Sequence, residues 1–484
     1  MSADVVIAGA GPGGLTAAHA LVRAGWRPRV FDRGVHVGGL ARTEVYKGYR
    51  FDIGGHRFLT KVPEIEALWK EILGDDLIRV RRLSRIQYDG RYFDYPLSLP
   101  NVLRHIGPVE GLRFLASYVR ARLRPAAGEE TFEDWVTNRF GARMYERFFK
   151  TYTEKVWGIP CAQIRADWAA QRIRGLSLPS VVQNLLFHRR SIKSLTTEFL
   201  YPRQGPGQMW ERLAALIESN GGDVRLNAEV VRVHLDGPRV MAVTVRAGTE
   251  SWREPTPAFI SSMPLAALVG RLDPAPPPDV LRAARGLRHR DFLIAVLIVR
   301  GVNPFPDNWI YVHSPDVRVG RIQNFRNWSA DMVPVPDRTS LGLEYFCTVG
   351  DDIWSRSDEG MLALATQEME QLGLARAADV EDGCVIRQPD AYPVYDEAYR
   401  GHIDVIRQYL ATLEGLQTIG RGGMHRYNNQ DHAMLTGWLA ARNLLGDRHD
   451  LWDVNTDRSY YEEQQLPCVM NAASARSGRS GGHR

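Results

Sequence analysis

Cysteine is scarce and scattered. Cys161, Cys347, Cys384 and Cys468 are the only four in 484 residues, and no two of them form a C-x-x-C pair. That spacing argues against a disulfide framework or a thiolate zinc site and fits a reducing cytoplasm. Long apolar runs are also missing. The longest, Phe292 to Val299, falls far short of the roughly 20 residues that a membrane-spanning helix needs, so no membrane span is expected. No basic stretch precedes the first strand-like run, Val5 to Ala8, and no signal peptide is expected. His, Cys, Asp and Glu show no convincing ligand spacing, so no metal is expected. The absence of a G-x-S-x-G elbow leaves a serine hydrolase unsupported. Neither sign of charge dominates: 61 Lys and Arg stand against 56 Asp and Glu. A net charge of +5 suits an anionic small-molecule substrate and is too mild to argue for nucleic acid.

What is present is an ordinary globular composition, 44% hydrophobic and 24% charged, in a chain long enough for two or three domains. The first 45 residues read strand, turn, helix, strand. Gly9-Ala10-Gly11-Pro12-Gly13-Gly14 gives G-x-G-x-x-G between the strand Val5 to Ala8 and a helix over Leu15 to Ala24. Gly9 permits the tight turn, Gly11 lets a pyrophosphate approach the backbone, and Gly14 lets helix and strand pack closely. Asp32 ends the next strand, where a carboxylate meets the adenosine ribose of a dinucleotide. Residues 60 to 190 read as mainly helical, 205 to 236 as αβ, and 238 to 350 as strand-rich. Residues 402 to 445 read as helical around a short buried strand, Leu416 to Gly420. The Ser-, Gly- and Arg-rich tail 471–484 is expected to be disordered.

A second glycine pair follows Asp32 in Arg33-Gly34-Val35-His36-Val37-Gly38-Gly39-Leu40-Ala41-Arg42-Thr43. This loop resembles the amine oxidase, protoporphyrinogen oxidase and UDP-galactopyranose mutase superfamily of flavoproteins, where it runs along FAD. The resemblance implies FAD as cofactor, held by Gly9, Gly11, Gly14, Asp32, Arg33, Gly39, Leu40, Arg42 and Gly55. A C-terminal element, Gly420-Arg421 followed by Tyr427-Asn428-Asn429-Gln430-Asp431-His432, resembles the family's second flavin segment and adds Arg421, Asn429 and Gln430. The implied fold is α/β: a Rossmann-like FAD-binding domain of the two-dinucleotide-binding-domain class (1–85, 195–265 and 402–460), an inserted helical domain (86–194) and an antiparallel-sheet substrate domain (266–401).

Within the superfamily, Phe51-Asp52-Ile53-Gly54-Gly55-His56, Tyr95-Pro96-Leu97 and Tyr152 to Gly158 resemble the UDP-galactopyranose mutases. That likeness implies redox-neutral pyranose/furanose isomerisation of a nucleotide-linked sugar through a reduced-flavin N5 adduct. It also implies a set of catalytic positions. Arg172 and Arg290 would clamp the diphosphate, Tyr152 and Tyr427 would contact phosphates, Trp157 would line the sugar pocket, and His56 would lie beside the isoalloxazine. Three positions depart from the mutase pattern. Residues 175 to 187 lack a tyrosine to stack on uracil, Phe325 stands where a tyrosine is found, and Asn429 replaces an aspartate. The alternative is an amine oxidase- or protoporphyrinogen oxidase-like oxidoreductase that removes hydride from a small molecule.

Plainer readings compete at each position. Arg172 suits a solvated helical face, Arg290 a strand edge, and Tyr152 and Trp157 an apolar core. The basic stretch Leu99 to Arg124 reads as a solvated amphipathic face rather than a membrane-binding one. The sequence leaves the oligomeric state open.

Overall fold

A computed structural model describes residues 4–95, 99–126, 128–166 and 198–455. Arg172, the 175–187 stretch and the 471–484 tail lie outside them.

The fold is mixed α/β. Asp4–Ala8 is wholly apolar after its first residue, and such a run belongs in the centre of a sheet covered on both faces. It is the middle strand of a five-stranded parallel sheet ordered Leu416–Thr418, Ala258–Ser261, Asp4–Ala8, Arg27–Phe31, Asp223–Arg225. The chain thus returns three times, after long excursions, to complete one small sheet. Helices Pro12–Arg23, Gly207–Ser219 and Gln430–Leu444 cover one face through Leu15, Leu213, Met434 and their neighbours. On the other face, Val6, Ala8 and Phe259 meet a four-stranded sheet, three strands over Glu229–Pro255 and a fourth at Leu272–Asp273, and helices near Leu265 and Val280.

The second large layer is a seven-stranded sheet ordered Val380–Pro393, His289–Arg300, Arg338–Cys347, Arg321–Asn324, Trp309–Val312, Ser84–Tyr88, Arg91–Asp94. All its pairings are antiparallel except that of Trp309–Val312 with Ser84–Tyr88. The expected boundary at residue 85 falls inside the Ser84–Asp94 hairpin, which joins this sheet. The expectation of mainly helical structure from residue 60 is corrected here: Leu77–Arg81, Ser84–Tyr88 and Arg91–Asp94 are strands. Their alternation of apolar and charged residues has the period of two that a half-buried strand needs.

A helical segment shares its core with the seven-stranded sheet. Phe132–Phe140 starts with a capping box between Thr131 and Asp134, which satisfies two of the donors exposed at a helix start. Thr151–Trp157 ends at Gly158. Lys155 in that last helix donates its ammonium hydrogens to the Ser314 carbonyl at 2.6 Å and the Val319 carbonyl at 3.2 Å. Burial pulls this lysine down to about 8. The contact pins the helix that carries Tyr152 and Trp157 against the seven-stranded sheet.

Candidate active site

One cavity of about 1230 Å3 runs from the glycine turn to the aromatic space under Thr151–Trp157. Its two ends differ in chemistry.

The first end is built for a dinucleotide. Gly9 has φ +102°, and a Cβ on Gly14 would stand 1.9 Å from the Gly9 carbonyl oxygen. No side chain fits there, so the Pro12–Arg23 helix closes down on the turn and leaves its N-terminus facing the cavity. Asp32 lines the same wall and accepts from the Ala10 and Gly34 amides, each at 2.7 Å. The second glycine loop leans on the first, the Gly38 amide donating to the Ala10 carbonyl at 2.8 Å. In that loop Arg42 is held by Glu44 at 2.6 Å and donates to the Gly39 carbonyl at 2.8 Å. Arg33 lines the cavity with its side chain half in solvent, 4.0 Å from Asp390.

A second helix start opens onto the same space. Asn429 and His432 form a capping box at the head of Gln430–Leu444, so this helix begins three residues before the expected Ala433. The Gln430 side-chain amide nitrogen donates to the His56 carbonyl at 3.0 Å, while its buried side-chain oxygen lacks a partner among the described residues. Arg421 donates to the Asn428 carbonyl at 2.9 Å and lies over the Tyr427 ring at 4.4 Å. Two helix N-termini, a carboxylate at the ribose end and an unpaired buried acceptor fit a flavin dinucleotide. Gly9, Gly11, Asp32, Arg33, Gly39, Leu40, Arg42, Gly55, Arg421, Asn429 and Gln430 all line the cavity. Gly14 acts behind the wall, by packing.

His56 sits where the two ends meet. One ring nitrogen, Nε2, donates to the Ile53 carbonyl at 2.8 Å. Burial, reinforced by the nearby arginines, lowers its pKa to about 4, so the imidazole is neutral at ordinary pH.

The far end is an aromatic chamber. Tyr152 stacks on His313 with centroids 4.7 Å apart and the planes 8° from parallel, and meets Tyr311 edge-on at 5.6 Å. Trp157 stands 6.3 Å from Tyr427, which in turn stacks on Tyr392 at 5.6 Å. Sequence reasoning had singled out Tyr152, Trp157 and Tyr427, and the fold brings them together. It missed the floor. Arg321 and Gln323 point up from one strand, and both engage Glu344 on the next. Arg321 Nε donates at 2.6 Å and Gln323 Nε2 at 2.7 Å. Arg321 Nη2, which also meets Glu344 at 2.5 Å, lies beside Gly54, and the side chain lines the cavity. The available signal was the alternation Arg321-Ile322-Gln323, in which only Ile322 joins the apolar core behind the sheet.

Arg290 does not line the cavity. It donates to the Thr348 hydroxyl at 2.5 Å and to the Phe346 carbonyl at 2.8 Å, behind Gly158. This side chain therefore does not bring the expected diphosphate clamp to the cavity wall, since Thr348 and Phe346 take its two terminal nitrogens. Phe325 is fully buried against Phe51 and is likewise outside the chamber.

Residues 12–445 match the family of flavin containing amine oxidoreductases. The chain belongs to that family. It is an FAD-dependent enzyme. Coproporphyrinogen III oxidase of Mycobacterium leprae (strain TN) is 26% identical over 438 residues, covering 85% of this chain and 92% of that protein. A probable UDP-galactopyranose mutase of Klebsiella pneumoniae is 25% identical over 176 residues, 34% of this chain and 43% of that one. Among solved structures, reduced UDP-galactopyranose mutase superposes with a TM-score of 0.79 at 20% identity, covering 95% of this chain and 99% of the other. Among the described residues no helix is long and apolar enough to cross a membrane, and no cluster of His, Cys, Asp and Glu could hold a metal ion.

Proposed function

We propose that the enzyme isomerises the ring of a nucleotide-linked or otherwise phosphorylated sugar without net redox change, as a UDP-galactopyranose mutase does. The observation that supports this reading best is the composition of the chamber. Tyrosine rings offer flat faces for the C–H side of a sugar, and the hydroxyls of Tyr152, Tyr311, Tyr392 and Tyr427 supply donors around it. Glu344 cancels the charge of Arg321, so the floor recognises hydroxyl groups rather than a full negative charge. Arg57 and Lys61 also line the cavity and are the cations we assign to the phosphate. We retain Arg172 as a further candidate for it. Bound FAD in its reduced form supplies an electron-rich centre that can act on a sugar carbon. The protein's part is to orient that carbon, to exclude water with aromatic walls, and to keep His56 neutral.

The second reading is oxidative. The coproporphyrinogen III oxidase relative extends over most of both chains, and a substrate giving up hydride would also suit an aromatic chamber. The two are separated by incubating the reduced enzyme anaerobically with a panel of nucleotide hexoses and resolving the products by chromatography and NMR. A furanose isomer of unchanged mass supports the mutase reading. No isomer, together with oxygen consumption on porphyrinogens or amines, replaces it with the oxidase.

A further inference from the structure

The Pro108–Leu123 helix is turned the wrong way for a solvated helix. Its inward side holds Phe114 and Ala121, and Phe114 packs 6.3 Å from Phe148. Its outward side should be polar. Instead Leu112, Leu115, Val119 and Leu123, spaced three, four and four apart, form one continuous outward stripe, with Val109 at its head. Leu112 is 67% exposed and Leu123 77%. Five of the thirteen large apolar side chains left exposed among the described residues sit on this one helix.

Arginines frame the stripe. At 100° per residue, Arg113, Arg120 and Arg124 fall along one edge and Arg122 along the other. Arg113 pairs with Glu110 at 3.3 Å, while Arg120, Arg122 and Arg124 have no carboxylate partner among the described residues. An apolar centre bordered by cations on both sides has the pattern of a helix lying in a membrane interface. Its 16 residues extend about 24 Å, too short to span a bilayer. A second copy of the chain fits less well, because a two-fold contact through the stripe brings the arginine rows together.

We infer that this enzyme docks on an anionic lipid surface through the Pro108–Leu123 helix, the leucine stripe entering the headgroup region and the arginines meeting lipid phosphates. The inference is independent of which reaction the flavin performs. It also reverses the sequence reading of this stretch as a solvated face.

The test is sedimentation of the purified holoenzyme with phosphatidylcholine vesicles, with and without phosphatidylglycerol. Two variants are compared, Leu112→Asp/Leu115→Asp and Arg120→Glu/Arg122→Glu, with flavin absorbance and melting temperature as folding checks. The wild type should pellet with phosphatidylglycerol vesicles and be released by high salt. The arginine variant should lose at least about fivefold in partitioning for each charge removed, and the leucine variant should stay in solution with its flavin intact. A wild type that ignores anionic vesicles, or a leucine variant that still pellets, overturns the proposal. So does a leucine variant that turns a dimer into a monomer, or one that unfolds, since the stripe would then be covered by protein.

Discussion

Arg321 and Glu344 face one another across adjacent strands, Nε to Oε2 at 2.6 Å, under the aromatic chamber. Glu344 is fully buried and spends its other oxygen on Gln323. Removing one partner of such a pair strands a charge and costs about 3–5 kcal/mol, whereas replacing both with apolar groups can be neutral. Glu344→Gln should therefore lower the melting temperature sharply. Arg321→Met/Glu344→Leu should recover most of that loss yet remain inactive. An active double variant would show that the pair serves only the fold.

The hydroxyl of Tyr152 has no hydrogen-bond partner among the described residues, and its ring is fixed by the His313 stack. Tyr152→Phe keeps the stack and removes only the donor. A lost neutral hydrogen bond is worth about 1 kcal/mol, so kcat/KM should fall about fivefold to tenfold with flavin content and melting temperature unchanged. Unchanged kinetics would take this hydroxyl out of substrate recognition.

Asp52 is buried and pairs with no cation among the described residues. Tyr201 donates to it at 2.6 Å and Thr43 at 3.2 Å. Burial outweighs both hydrogen bonds and raises the carboxyl from 3.8 to about 8. Between those values the folded chain holds a proton that the unfolded chain has released. This group's contribution is therefore full below about pH 4 and is lost as pH rises towards 8, by about 1.4 kcal/mol per unit. Asp52→Asn should flatten that slope. Melting curves at pH 5 and pH 8 compare the two, and parallel profiles would mean that Asp52 is ionised in the fold.

Gly437 meets Gly13 where the two helices that open on the cavity cross. A Cβ on Gly437 would stand 2.0 Å from the Gly13 carbonyl oxygen. Overpacking of this kind costs about 1–3 kcal/mol and tilts the helix start that faces the pyrophosphate. Gly437→Ala should purify with a reduced ratio of flavin to protein absorbance. Gly401→Ala, on an open helix face with nothing within 4 Å, should keep full flavin.

These positions divide by how much of their environment is local in the chain. The glycine turn, the strands around it and Asp32 were legible because everything that defines them lies within one βαβ unit. The strand Leu416–Thr418 was legible from a short apolar run ending at Gly420. The Gln430 helix start was read three residues late, because the Asn429 cap was counted as part of the flavin turn. Tyr152 and Trp157 could be named from one short motif, but their partners Tyr311, Tyr392 and Arg321 come from three separate strands, and no spacing in the sequence joins them. Arg290, which stands outside the cavity lining, is the reverse case. Its motif was visible, but the Thr348 hydroxyl and Phe346 carbonyl that occupy it arrive from a strand far along the chain.

The parallel sheet that carries the glycine turn is completed only by Leu416–Thr418, and the second wall of its cleft only by the helix that starts at Gln430. During synthesis, the first strand and its helix leave the ribosome long before either exists. The nascent enzyme therefore spends most of its translation with an open dinucleotide turn and an unpaired sheet edge. Cofactor capture belongs to the end of biogenesis, and a chain cut before residue 430 would lack Gln430 and the whole second helix start.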